Sequence, residues 1–211
     1  INMNAFAANL PSLTINGGTG DDAVNLNGDL PFAANANLDL DLQNDDASPG
    51  TDAVTVASIA DIALSGTGTA TVKVSKSFTM NGGTFSTVDG NLTVEANQQA
   101  TPTGGTFNGV DINAGQLQCF GTGNVTVKGK GGDSGINQRG VYVRGTAGIL
   151  SSHSGTLTVI GTGGASSGNT NSGVEVSGST AQITSFGGGN VSVTGQGGGS
   201  GASRLNVGVY V

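Results

Sequence analysis

Thr71-Val-Lys-Val-Ser-Lys-Ser-Phe-Thr-Met-Asn-Gly-Gly-Thr-Phe-Ser-Thr-Val-Asp-Gly90, followed at once by Asn91-Leu-Thr-Val94, decides the fold. Apolar side chains recur every second residue at Val72 and Val74 and again at Phe78 and Met80, which is the period of a strand. The motif polar, apolar, polar, apolar that opens at Thr71 reopens 20 residues later at Asn91. Twenty residues hold three short strands and three tight corners, and leave no room for a crossover helix. The unit is therefore a coil.

The same motif runs outward in both directions as Ser12-Leu-Thr-Ile15, Asn37-Leu-Asp-Leu40, Asn124-Val-Thr-Val127, Thr156-Leu-Thr-Val159 and Asn190-Val-Ser-Val193. With Thr71 and Asn91 included, the starts are spaced by 25, 34, 20, 33, 32 and 34 residues. A second apolar column follows through Val24, Val54, Phe78, Val110, Val141, Val174 and Val209. A third runs through Phe32, Leu64, Phe85, Leu117, Ile149 and Ile183. Stacked coils pair each strand in parallel with its equivalent about 4.8 Å away and bury one apolar column per strand. The expected fold is an all-β, right-handed parallel β-helix (β-solenoid) of about seven coils with three strands per coil. The Ser, Asn or Thr that opens each first strand suits a ladder of side-chain hydrogen bonds between coils.

Coil length varies at one corner. Glu95 to Gly109, Lys128 to Gly140, Ile160 to Gly173 and Thr194 to Gly208 are rich in Gly, Ser, Asn, Gln and Thr, and read as loops on one edge of the solenoid. The chain is thus one solenoid segment over 1–211, with acidic N-terminal coils over 1–70 and Gly-rich coils over 71–211. Ile1 opens the sequence and Val211 falls within a restarted Gly-Val-x-Val strand, so further coils of a longer chain, or axial self-association, are expected.

Composition narrows the function. Of 211 residues 39 are Gly and 9 aromatic, which is unlike an ordinary α/β enzyme. The net charge of −7 hides nine acids and no base in residues 1–61, against five acids and seven bases in residues 62–211. Seven scattered bases form no concentrated basic surface, so nucleic acid is not an expected partner. No apolar run reaches the 18 or more residues of a spanning helix. The single cysteine, Cys119, alternates with Leu117 and reads as a small core residue, while His153 in Ser-Ser-His-Ser-Gly reads as an exposed turn residue.

The run Asn190-Val-Ser-Val-Thr-Gly-Gln-Gly-Gly-Gly-Ser-Gly201, its counterpart at Asn124, Asp45-Asp-Ala-Ser-Pro-Gly-Thr-Asp-Ala-Val-Thr-Val56 and Val88-Asp-Gly-Asn-Leu-Thr-Val-Glu-Ala-Asn97 resemble repeats in very large extracellular proteins of planctomycetes and related bacteria. Those proteins look like cousins of filamentous adhesins and autotransporter passengers. The resemblance implies an extracellular, cell-surface or matrix role and supplies no catalytic motif; surface polysaccharide is a further candidate partner.

Two places invite chemistry. Gly17-Gly-Thr-Gly-Asp-Asp-Ala-Val24 matches one calcium-binding nonapeptide, and Asn44-Asp-Asp-Ala-Ser-Pro-Gly-Thr-Asp52 falls at the same corner one coil later. Asp21, Asp22, Asp45, Asp46 and Asp52 are accordingly candidate calcium ligands, with a solvated acidic turn set as the alternative. The outward file of the second strand reads Asn25, Thr55, Thr79, Asp111, Tyr142, Glu175 and Tyr210. Asp111 and Glu175 stand two coils, about 9.6 Å, apart, which approaches the spacing of an inverting glycosidase pair. A basic cluster beside these carboxylates, as in β-helical polysaccharide lyases, is not expected. The reading is therefore a non-catalytic structural or adhesive solenoid, with a carbohydrate-active or carbohydrate-binding β-helix as the alternative. On the first strand, register places Asp39 beside Lys73 and Glu95 beside Lys128 as exposed ion pairs.

Overall fold

The computed structural model describes residues 1–4, 9–43, 50–146 and 148–211. Among them there is no helix, and every strand pairing is parallel. Three sheets run the length of the molecule. The first stacks Leu13–Asn16, Leu38–Asp41, Ala70–Val74, Leu92–Ala96, Val125–Lys130, Leu157–Thr162 and Val191–Gln196. The second stacks Asn2–Met3, Ala23–Leu26, Ala53–Val56, Ser77–Met80, Val110–Asn113, Val141–Arg144, Val174–Ser177 and Val209–Tyr210. The third stacks Leu30–Pro31, Asp61–Ala63, Thr84–Thr87, Gln116–Cys119, Ile149–Ser152 and Gln182–Ser185. After one opening strand on the second sheet, Asn2–Met3, the chain visits them in that order through six complete turns and then adds one strand to each of the first two sheets. This is a parallel β-helix.

Alternation puts one file of each strand pair into the core. Leu38, Ala70, Leu92, Val125 and Leu157 align inward on the first sheet, and Val24, Val54, Phe78, Val110, Val141 and Val174 on the second. In the 20-residue coil, Phe78 and Phe85 pack with ring centroids 6.3 Å apart. Ala70 of the same coil offsets their bulk, a volume exchange that keeps the narrow interior filled. Cys119 is buried there too and His153 is exposed.

Ala70 also moves a register. Leu38 pairs with Ala70 and Leu40 with Val72, so Lys73 lies beside Asp41 and Asp39 beside Thr71. The expected Asp39–Lys73 pair is replaced by Asp41–Lys73, at 4.0 Å. Glu95–Lys128 forms as expected, at 2.8 Å. Lys73 is also the register neighbour of Glu95, which makes one outward file alternate in sign along Asp41, Lys73, Glu95 and Lys128. The third column shifts as well. Its register passes through Leu30, Ile62, Phe85, Leu117, Leu150 and Ile183, so Leu150 and not Ile149 aligns with Leu117. Phe32 and Leu64 are buried two residues further along their coils.

Corners among the described residues carry their own hydrogen-bonded ladder. The Asn37 backbone N–H donates to Ser12 Oγ (2.9 Å), Thr69 N–H to Asn37 Oδ1 (2.8 Å), Asn124 N–H to Asn91 Oδ1 (2.9 Å) and Thr156 N–H to Asn124 Oδ1 (2.9 Å). Thr69, rather than Thr71, is the rung of this ladder in the third coil. From the third coil onward a glycine that the stacking requires lies just before the rung: a Cβ on Gly68, Gly90, Gly123, Gly155 or Gly189 would lie under 3.0 Å from a carbonyl oxygen of the coil before.

The long loops form a lateral lobe whose own rungs repeat. Gln138 N–H donates to Asn171 Oδ1 and Asn171 N–H to Asn206 Oδ1, both at 3.0 Å. Asn97, Gln99, Gln138 and Asn171 are buried inside it. The lobe thus has a polar interior of satisfied amides, where the three sheets enclose an apolar one.

Two stability measurements check this architecture by urea titration followed by circular dichroism. Val127→Asp places an unpaired charge in the apolar core and is expected to cost several kcal/mol, about 4, enough to unfold the coils around it. Gly123→Ala is expected to cost about 1–3 kcal/mol through overpacking against a neighbouring backbone, while Gly20→Ala, where a Cβ meets nothing within 4 Å, stays within about 0.5 kcal/mol of the parent. Equal midpoints for the two alanine variants would contradict the corner ladder.

Candidate functional site

At the N-terminal corner, three of the candidate calcium ligands are described, and each accepts backbone hydrogen bonds. Thr51 N–H donates to Asp21 Oδ1 (2.8 Å), Gly18 N–H to Asp22 Oδ2 (3.1 Å) and Asp22 N–H to Asp52 Oδ1 (2.8 Å). Asp52 is fully buried, and its Oδ2 accepts from the Ser75 hydroxyl (2.8 Å) while Ser75 Oγ accepts from the Asp52 N–H (2.8 Å). Asp45 and Asp46 lie outside the described residues. Among the described residues no three His, Cys, Asp or Glu side chains gather as a metal-holding group. The same use of carboxylates recurs elsewhere: Asp61 N–H donates to Asp29 Oδ1, Thr84 N–H to Asp61 Oδ1 and Thr122 N–H to Asp89 Oδ1.

The second place is richer than the sequence suggested. Asp111, Tyr142, Glu175 and Tyr210 do form one outward file on the second sheet. Two arginines join them, contrary to the expectation that no bases would. Arg144, one coil beyond Asp111, grips it with Nε to Oδ1 at 2.9 Å and an NH2 group to Oδ2 at 3.1 Å, and Asn108 Nδ2 donates to Oδ2 at 3.0 Å. Hydrogen bonding to Asp111 raises the Arg144 guanidinium above its ordinary value. Arg139, at the end of the lobe, places Nε 2.6 Å from Glu175 Oε2. Its guanidinium lies 4.1 Å over the Tyr142 ring, and that of Arg144 lies 5.3 Å from the same ring. Tyr142 therefore receives two cations, an arrangement worth about 0.5–2 kcal/mol per contact.

Beside this cluster runs a lateral groove of about 330 Å³. One wall is the returning limb of the lobe, where Asn137, Thr170 and Leu205 form one file and Arg139, Ser172 and Val207 the next. The other wall is the outer face of the second sheet, with Glu175 and Tyr210. Gln138, Asn171 and Asn206 alternate with these residues, and Gln138 and Asn171 are buried in the lobe. The groove side chains thus follow from the alternation of an extended limb. In the sequence that limb reads only as loop, which hides Arg139. Arg144 was missed because it sits one residue past the apolar pair Val141 and Val143.

Chemically, both carboxylates are engaged by guanidinium groups, and the cluster Asp111, Arg139, Arg144 and Glu175 sums to zero charge. The arrangement is built to present hydrogen-bond donors, acceptors and aromatic edges at fixed positions.

Two outcomes test these interactions. Arg144→Met is expected to destabilise by about 1–3 kcal/mol, because it leaves the buried Asp111 carboxylate with Asn108 alone. Hydrogen bonds from Thr51 to Asp21, and from the Gly105 backbone and the Ser134 hydroxyl to Asp133, hold both carboxyls below the usual carboxylate range. Their contribution is full above the unfolded value of about 3.9 and is lost as pH falls through the lower folded values. The urea midpoint is therefore expected to stay flat between about pH 7 and 5 and to drop below about pH 4, less steeply in Asp21→Asn/Asp133→Asn.

No protein-family model, curated protein or solved structure matches the chain. The functional reading rests on the solenoid and on this groove.

Proposed function

We propose that the chain is a rod segment of an extracellular structural or adhesive protein, at the cell surface or in the surrounding matrix, and that it acts without catalysis. The observation that carries this reading is the continuity of the coil-to-coil bonding. Each turn is tied to the next by three parallel sheets, and stretches of the rod are tied further by Asn, Thr and Ser rungs at the corner and by the stacked lobe. Such a body resists bending and holds its outer faces at constant spacing, as a spacer or display element must. Function is then spread along faces rather than gathered at a catalytic centre. The resemblance of the Asn124 and Asn190 repeats to those of very large bacterial surface proteins supports the extracellular placement.

Surface exposure on the source cells tests the proposal. Antibodies raised against residues 1–211 are expected to label intact, unpermeabilised cells or their matrix, and mild external protease to remove that label. Labelling that requires permeabilisation would overturn the extracellular reading.

A further inference from the structure

We propose that the lateral groove between the lobe and the second sheet binds an uncharged oligosaccharide, an assignment that does not depend on the rod role. The first argument is charge. Arg139 and Glu175 neutralise each other across 2.6 Å at the groove, and Asp111 and Arg144 do the same next to it. An anionic or cationic ligand would have to compete with a charge-assisted pair on one side and meet like charge on the other. A neutral ligand meets neither penalty.

The second argument is the mixture of surfaces. Arg139 offers N–H donors beyond those bound to Glu175 and the Asn137 carbonyl, and Thr170 supplies a hydroxyl. Leu205, Val207 and Tyr210 supply apolar faces, with Tyr210 54% exposed. A purely apolar ligand would cover the Arg139–Glu175 pair without replacing its hydration. A pyranose carries hydroxyls around its rim and C–H groups on its faces, and so satisfies both kinds of wall. A volume of about 330 Å³ lies at the lower end of small-molecule pockets, roughly 300–1,000 Å³.

The third argument is the axial repeat. The groove side chains stand in straight files with one position per coil, about 4.8 Å apart, and the residue changes along each file: Asn137, Thr170 and Leu205 in one, Arg139, Ser172 and Val207 in the next, Tyr142, Glu175 and Tyr210 on the sheet. That step is comparable to the length of one sugar in an extended chain. A linear oligomer lying along the axis meets one rung per sugar, polar at Asn137 and Arg139 and apolar at Leu205 and Val207, whereas a compact ligand uses only one rung.

Isothermal titration calorimetry on the 211-residue chain tests this with cellohexaose, mannohexaose and laminarihexaose as neutral probes. Hexagalacturonate and a chitosan hexamer serve as anionic and cationic probes. Saturable binding of at least one neutral hexasaccharide, tighter than either charged one, is expected. Tyr210→Ala is expected to weaken it about tenfold through loss of the aromatic platform, Leu205→Ala to weaken it less, and Phe186→Ala, on the distant third corner, to leave it unchanged. Circular dichroism of each variant establishes that the solenoid is retained. Absence of binding by all three neutral probes up to about 10 mM, preference for a charged probe, or wild-type affinity in both Tyr210→Ala and Leu205→Ala would overturn the assignment.

Discussion

The spacing between parallel strands is the constraint on which the rest of the molecule depends. Once the three sheets fix coils about 4.8 Å apart, every corner has to bring backbone to backbone at that distance and still find partners for its N–H groups. Both demands are met by residue choice. Glycine stands where a Cβ would strike the preceding carbonyl, as at Gly90, Gly123, Gly155 and Gly189. Beside Gly90 and Gly123, Asn91 and Asn124 reach forward with an amide oxygen to an N–H of the next coil that the turn has left unpaired, as Asn37 does for Thr69. The glycine content follows from close stacking, and does not mark a flexible chain.

The acids of the N-terminal third obey the same demand. Asp21, Asp29, Asp52 and Asp61 each accept an N–H from the adjacent coil, the role that Asn37, Asn91 and Asn124 fill elsewhere. A carboxylate is the stronger acceptor and carries charge besides. These acceptors form two short stacks, Asp21 with Asp52 at one corner and Asp29 with Asp61 at the next, and in each the accepted N–H groups offset the repulsion between like charges. Asp52 is the extreme case, fully buried and hydrogen-bonded to Asp22 and Ser75.

What could be read in the sequence was whatever obeys period two. The three-strand coil, the inward columns through Val24 and Leu38 and the Glu95–Lys128 pair all come from alternation. The errors arise where alternation is locally ambiguous. Ala70 is apolar but small, so the alternation reads as opening at Thr71, two residues past the true rung, and pairs Lys73 with Asp39 in place of Asp41. Ile149 and Leu150 are adjacent apolar residues, and only pairing with Leu117 distinguishes them. The groove was harder to see, because Arg139 meets Glu175 across 36 residues and two structural elements. The Gly-Val-x-Val strand after Arg139 was legible. Counting two residues back from Val141 along an extended chain would have placed Arg139 on one face of the lobe limb.

Arg139 also explains why the lobe and the sheet form one surface. The lobe limb and the second sheet are joined by short turns at Gly140, Gly173 and Gly208, where a side chain would meet neighbouring backbone. Glycine allows that approach but supplies no side-chain contact to set the angle. The Arg139–Glu175 bond and the stacking of Arg139 on Tyr142 supply it from the outer side. Asp111 and Arg144 brace the coils next to it along the same sheet. Because each pair spans coils, the cations lock the stacking and the groove wall together. The charges that shape the groove are thereby neutralised within it, and its remaining chemistry is that of neutral hydrogen-bonding groups, the aliphatic Leu205 and Val207 and the Tyr210 ring.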